Sequence, residues 1–169
     1  MIAGQGTVGL EICAQAADVE TVLVPVGGGG LISGVAVAIK GLLPTVRIVG
    51  IEPEVAGDAA ASFARGERVT WPVEETASTV ADGLRAPGLG ALNFEHVRAH
   101  VDAVLTVSEQ QMLAAVPLIA HRARLVAEPS GAVTTAGYLA HAEEHGFGRT
   151  VAIVSGGNVD PAAYARMLG

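Results

Sequence analysis

The sequence predicts an α/β fold, an open, mostly parallel twisted sheet with helices on both faces. Three observations carry that expectation. Short apolar runs alternate with longer segments of helical period, the pattern of β-α units. The short runs are rich in Val and Ile and carry no charge in their interiors, as strands covered on both faces require. Glycine-rich stretches follow two of these runs directly, where a strand hands over to a helix.

The strands are expected at Thr21 to Val26, Arg47 to Ile51, Ala103 to Val107 and Thr150 to Val154, all as central, doubly covered strands. The helices are expected at Gly6 to Ala17, Leu31 to Leu43, Glu109 to Leu125, Ser130 to His145 and Pro161 to Leu168, with a shorter one over Ala59 to Arg65. Ser108 followed by Gln111 fits a capping box, and Asp160 before Pro161 places an N-cap ahead of a proline at the first helical position. Pro117 should kink or split its helix, because it removes a backbone donor and clashes with the preceding turn. Gly66 to Leu92, with Pro72, Pro87 and weak periodicity, is expected as the longest loop region.

With 169 residues the chain has room for one domain, spanning 1–169, and half of its residues are hydrophobic. Disorder is excluded by that composition. Ten Lys and Arg against seventeen Asp and Glu give a net charge of −7, the wrong sign for nucleic acid or anionic membrane surfaces. The single cysteine, Cys13, can form neither an internal disulfide nor a cysteine-based zinc site, so a reducing, cytoplasmic setting is expected. The most apolar stretch, Gly27 to Leu43, carries Lys40 and many glycines and is expected as a buried loop and helix, not a membrane span.

Three motifs could carry chemistry. Gly27-Gly28-Gly29-Gly30 lies between a strand and an apolar helix, where backbone N–H groups and the positive helix end suit a phosphate. It is not a Walker motif, since no Gly-Lys-Ser/Thr follows. Gly4-Gln5-Gly6-Thr7-Val8-Gly9 matches G-x-G-x-x-G, but only Met1, Ile2 and Ala3 precede it where a strand is needed. A glycine-rich helix entry is expected there, with an NAD-binding Rossmann domain as the alternative. Ser155-Gly156-Gly157-Asn158 follows another strand, and the carboxyl ends of parallel strands are where ligands collect. His141 and His145 share a helix face without a third ligand nearby and are expected as surface histidines beside Glu143 and Glu144.

Six stretches, Ala3 to Ile12, Pro25 to Leu31, Glu52-Pro53-Glu54, Val80-Ala81-Asp82-Gly83, Glu128-Pro129-Ser130-Gly131-Ala132 and Ser155 to Asp160, resemble, in order and from end to end, the fold-type II pyridoxal-phosphate enzymes, in the branch of the threonine/serine dehydratases and serine racemases. The resemblance implies that Gly27, Gly28, Gly29, Gly30 and Leu31 cradle the cofactor phosphate. It implies that Ser155 bonds the pyridine nitrogen and that Glu128 lies on the substrate side of the ring. In Glu52-Pro53-Glu54-Val55-Ala56-Gly57-Asp58 it implies a hard-cation site for Mg²⁺ or Ca²⁺, with Glu52, the Ala56 carbonyl and Asp58 as ligands; Asp58 as an N-cap is the plain alternative.

The activity implied is that of a hydroxy-amino-acid ammonia-lyase, which eliminates water from a small amino-acid substrate to an enamine that then hydrolyses to a 2-oxo acid and ammonia. A serine-racemase-like activity is the alternative within the family. The family's imine-forming lysine sits in an N-terminal Ser-x-Lys stretch that has no counterpart here, so no catalytic lysine is assigned, and Lys40, the sole lysine, lies on the helix behind the phosphate loop. The Ser-Ser-Gly-Asn-type substrate loop is likewise unmatched. The resemblance therefore covers the C-terminal half of the family's proteins and leaves two expectations: a lyase lacking its N-terminal half, or a non-catalytic cofactor-binding remnant. Exposed apolar surface and an unpaired sheet edge would favour a homo-oligomer.

Overall fold

The computed structural model describes residues 1–169. Helix α1 (Ile2–Gln15) leads into β1 (Thr21–Pro25), α2 (Gly30–Leu42) and β2 (Arg47–Pro53). A 3-10 turn (Glu54–Ala56), α3 (Asp58–Arg65), the single turn α4 (Val73–Thr76) and a second 3-10 turn (Asp82–Leu84) precede α5 (Ala91–His100) and β3 (Ala103–Val107). Helices α6 (Glu109–Ala123) and α7 (Pro129–His145), strand β4 (Thr150–Ala152) and α8 (Pro161–Leu168) complete the chain.

All three strand pairs are parallel and the order is β3-β2-β1-β4. Period-two alternation divides the core between the two faces. Val22, Val24 and Ile48 point toward Ile32, Val35 and Ile39 of α2, while Leu23, Val49 and Ile51 point toward Met112 and Val116 of α6 and Val133 of α7. β1 is buried throughout. β3 and β4, by contrast, are edge strands and only half buried, because each lacks a neighbour on one side. β4 is also shorter than its apolar run suggests.

Helix α1 starts earlier than expected and absorbs the whole of Gly4-Gln5-Gly6-Thr7-Val8-Gly9. The NAD-binding alternative fails for that reason, since the motif is helix interior rather than a loop after a strand. Its glycines serve packing. A Cβ on Gly34 of α2 would stand 2.6 Å from the Gly6 nitrogen, and one on Gly9 would stand 2.9 Å from the Val35 carbonyl oxygen, so glycine lets the two backbones touch.

Pro117 does not split α6. Met112, Ala115, Val116 and Ile119 bury on both sides of the proline in one cluster, and that packing carries the helix across the missing N–H. The Ser108–Gln111 capping box is present, as is the Asp160 cap, whose carboxylate accepts from the Ala163 N–H at 2.8 Å. The stretch expected as loop holds α4 and the 3-10 turn, and α5 follows it, a helix that the sequence did not lead us to expect.

Candidate functional site

Strand order determines where a ligand fits. From β1 the chain runs to β2 and β3, then returns to pair β4 on the other side of β1, so the connections diverge between the carboxyl ends of β1 and β4. Such a divergence opens a crevice in parallel sheets. A cleft of about 320 Å³ lies there, lined by Gly27 to Leu31 after β1 and by Ser155 after β4, with Gln5, Leu84 and Asn93 closing its sides.

The glycine loop is built to keep its amides open. Gly29 is the N-cap of α2 at φ 84°, a left-handed conformation. A Cβ there would lie 2.7 Å from Leu89 Cδ2 and 3.0 Å from Asn93 Cβ, so a side chain would be crowded as well as strained. The Asn93 amide donates to the Gly28 carbonyl at 2.5 Å, and the Gly90 N–H donates to the same oxygen at 3.2 Å. The Gly28 carbonyl is thus tied down, while the N–H groups of Gly27 through Leu31 find no acceptor in the protein. No Lys or Arg lines the cleft, so any anion is held by those amides and the positive end of α2. A phosphate fits this cradle.

Ser155 is exposed on the same cleft. Glu128 lies beside the next residue: its N–H donates to the Gly156 carbonyl at 3.1 Å and its carboxylate lies against Gly156. It occupies the N-cap of α7 without a side-chain capping bond, so capping does not account for its carboxylate. It lines a separate cleft of about 220 Å³ with Asp82, Arg85 and Asn158. Ser130 is buried between them, its Oγ accepting from the N–H of Gly83, which lines the first cleft, at 3.0 Å.

Lys40 is far from this chemistry. Its ammonium pairs with Asp102 at 2.8 Å, and Asp102 precedes β3 at the opposite end of the sheet from the glycine loop.

The cation candidates meet behind the carboxyl end of β2. Asp58 is not the N-cap of α3; Gly57 takes that position without a side-chain bond. Glu52 does the capping instead, its carboxylate accepting from the N–H groups of Ala60 at 2.6 Å and Ala59 at 3.3 Å. Glu52 and Asp58 are each 1% exposed. Burial, opposed by the Ala60 N–H and reinforced by the neighbouring Asp58 charge, pushes Glu52 up to about 9, and burial pushes Asp58 up to about 7. Asp58 Oδ2 is buried with no hydrogen-bond partner. Two buried carboxylates, one of them with an orphaned oxygen, fit a hard cation.

Sequence reasoning missed Asn93, which sits on the unforeseen α5. It also discounted Glu144, whose carboxylate joins His141 and His145 in one cluster, so those histidines are half-buried members of a group rather than isolated surface residues.

A family model described as "Pyridoxal-phosphate dependent enzyme" matches residues 1–156. The catabolic L-threonine dehydratase TdcB of Escherichia coli (strain K12) is 41% identical over 171 residues, covering 100% of this chain and 51% of the relative. Among solved structures, a T.th. threonine deaminase superposes with a TM-score of 0.88 at 44% identity, over 94% of this chain and 57% of the other. Maize serine racemase gives 0.90 at 40% identity, over 98% and 50%. The chain spans about half the length of the curated relatives it matches.

Proposed function

This chain belongs to the family of pyridoxal-phosphate dependent enzymes, and we propose that it forms the cofactor-holding half of a hydroxy-amino-acid ammonia-lyase acting on a substrate of the threonine or serine class. The observation that carries the proposal is the single cleft that Gly27 to Leu31 and Ser155 share at the divergence of β1 and β4.

Each residue has a distinct task. The amides of Gly27, Gly28, Gly29, Gly30 and Leu31 bind the phosphate, and the end of α2 adds favourable charge. The Ser155 hydroxyl bonds the pyridine nitrogen; being neutral, it does not hold a proton there as a carboxylate would. When bound, pyridoxal phosphate supplies an electron-withdrawing ring that stabilises negative charge on the substrate's α-carbon. Glu128, beside Gly156, sits on the substrate side. Glu52, Asp58 and the Ala56 carbonyl would hold Mg²⁺ or Ca²⁺ behind β2, and the ion would supply positive charge opposite two buried carboxylates.

The chain's one lysine is committed to Asp102, so the lysine the reaction needs comes from outside these residues. A second reading rests on that same fact: a chain that holds the cofactor without turning over substrate. Leu10 and Val37 are exposed on one apolar patch of α1 and α2, and we expect self-association through that face. Cys13, its thiol pushed up by burial, fits a reducing cytoplasmic setting without being a reactive group.

The test joins this chain to the coding sequence immediately upstream and assays release of 2-oxo acid and ammonia from L-threonine and L-serine. A lysine-bearing segment with turnover supports the lyase. Cofactor binding without turnover in any such form supports the second reading, and D-serine in chiral analysis with no 2-oxo acid would point to racemisation.

A further inference from the structure

We propose that the last turn of α7 is a binding site for a borderline divalent transition-metal ion, Zn²⁺ being the representative case, held by His141, Glu144 and His145. One ligand atom from each of the three lies within 4.8 Å of the other two. Positions i, i+3 and i+4 share one helix face, so the backbone alone brings two imidazoles and a carboxylate together. Two nitrogens and one oxygen form a donor set for zinc or its neighbours and leave a coordination position open. The site is chemically distinct from the all-oxygen group at Glu52 and Asp58.

Three further features separate this turn from a chance histidine pair. First, His141 Nε2 lies 2.9 Å from the Thr106 carbonyl oxygen on β3. A carbonyl can only accept, so Nε2 carries the proton and the lone pair free for a metal is on Nδ1. Metal-binding histidines are commonly oriented by this kind of bond. Second, His145 is stacked on the buried Phe147 ring, with centroids 5.7 Å apart and planes at 16°, and it meets the His141 ring edge-on at 5.8 Å. Both rings are therefore held before any ion arrives. Third, α7 ends at His145, where the helix dipole is negative and favours a cation. Arg47 is the opposing charge; its guanidinium lies 5.7 Å from the centre of the Phe147 ring and donates to the His145 carbonyl at 2.9 Å.

The protein contains its own control. His96 and His100 on α5 have the same i, i+4 spacing and stacked rings 6.1 Å apart, but no carboxylate completes a cluster with them. A generic histidine pair would bind equally at both helices.

The experiment titrates the untagged 169-residue chain with Zn²⁺ and follows the imidazole proton resonances, with calorimetry for stoichiometry and affinity. The resonances of His141 and His145 should move first, at one ion per chain, while those of His96 and His100 remain in place. Glu144→Gln, an exposed position that leaves the fold intact, should weaken binding roughly 10–100-fold, the loss typical even for partners outside the metal's own shell. His145→Ala should abolish the response at α7. Unchanged affinity in Glu144→Gln, simultaneous movement of all four resonances, or displacement of Zn²⁺ by excess Mg²⁺ would each overturn the proposal.

Discussion

Asp58 opens helix α3, yet the carboxylate that caps this helix belongs to Glu52, back on β2. This division of labour leaves Asp58 Oδ2 buried and without a partner, next to a second acidic group. Both carboxyls titrate higher in the folded chain than in an unfolded one. The stability that goes with their neutral forms is therefore complete below the ordinary carboxylate range and is lost as pH rises through about 7 and then about 9.

Metal-free protein should accordingly melt at progressively lower temperature from about pH 5 to about pH 8. A cation should reverse the trend, because it would bind the ionised carboxylates. Mg²⁺ or Ca²⁺ at about 100 times its Kd contributes about 2.7 kcal/mol, or about 5–10 °C for a chain of this size, and the gain should be larger near the upper end of that pH range than near the lower. Asp58→Asn should raise the metal-free melting temperature at the alkaline end and lose the response to the ion. Thermal melts across that pH range, with and without the ion, check both statements.

The glycine loop separates folding from binding at neighbouring positions. Gly29→Ala forces a side chain into a left-handed conformation and against Leu89, and it should cost about 1–3 kcal/mol with a marked loss of cofactor affinity. Gly28→Ala meets nothing closer than Ala86 Cβ at 4.0 Å, so its unfolding curve should match the parent's while the cofactor titration weakens. Urea unfolding paired with cofactor titration distinguishes the two.

The α1–α2 seam gives opposite outcomes for the same substitution. Gly34→Ala drives a methyl into the Gly6 backbone and should destabilise by about 3 kcal/mol or more. Gly4→Ala on α1 meets nothing within 4 Å and should stabilise by roughly 1 kcal/mol through helix propensity. Chemical denaturation of both variants reads the difference directly.

Ser155→Ala should leave stability unchanged, since Ser155 is exposed, and should lower pyridoxal-phosphate affinity about tenfold, the worth of one neutral hydrogen bond. Equal affinity in the two proteins would remove Ser155 from the site.

Elements whose cause is local were legible in the sequence. β1 and the glycine loop follow from a Val-rich run that ends in four glycines, and the caps at Ser108 and Asp160 follow from residue type and spacing. What escaped has tertiary causes. Helix α5 buries only Phe94 and Val97 and begins at Gly90 without a side-chain cap, so neither periodicity nor a start signal marks it, and Asn93 was hidden with it. Gly4 to Gly9 are helical because α2 presents Gly34 at the contact, a fact absent from either segment alone. The capping of α3 by Glu52 depends on where β2 ends relative to α3, and Glu144 resembled a solvated helix end until its side chain was seen beside two held imidazoles.

Whether the glycine loop and Ser155 form one cofactor cradle in this chain is read by titrating the 169-residue protein with pyridoxal phosphate and, in parallel, with pyridoxal lacking the phosphate. Borohydride treatment and peptide mapping follow. Binding should be saturable and depend on the phosphate, weakened in Ser155→Ala, with no reducible label on Lys40. Equal binding of both compounds, or a label on Lys40, would contradict it.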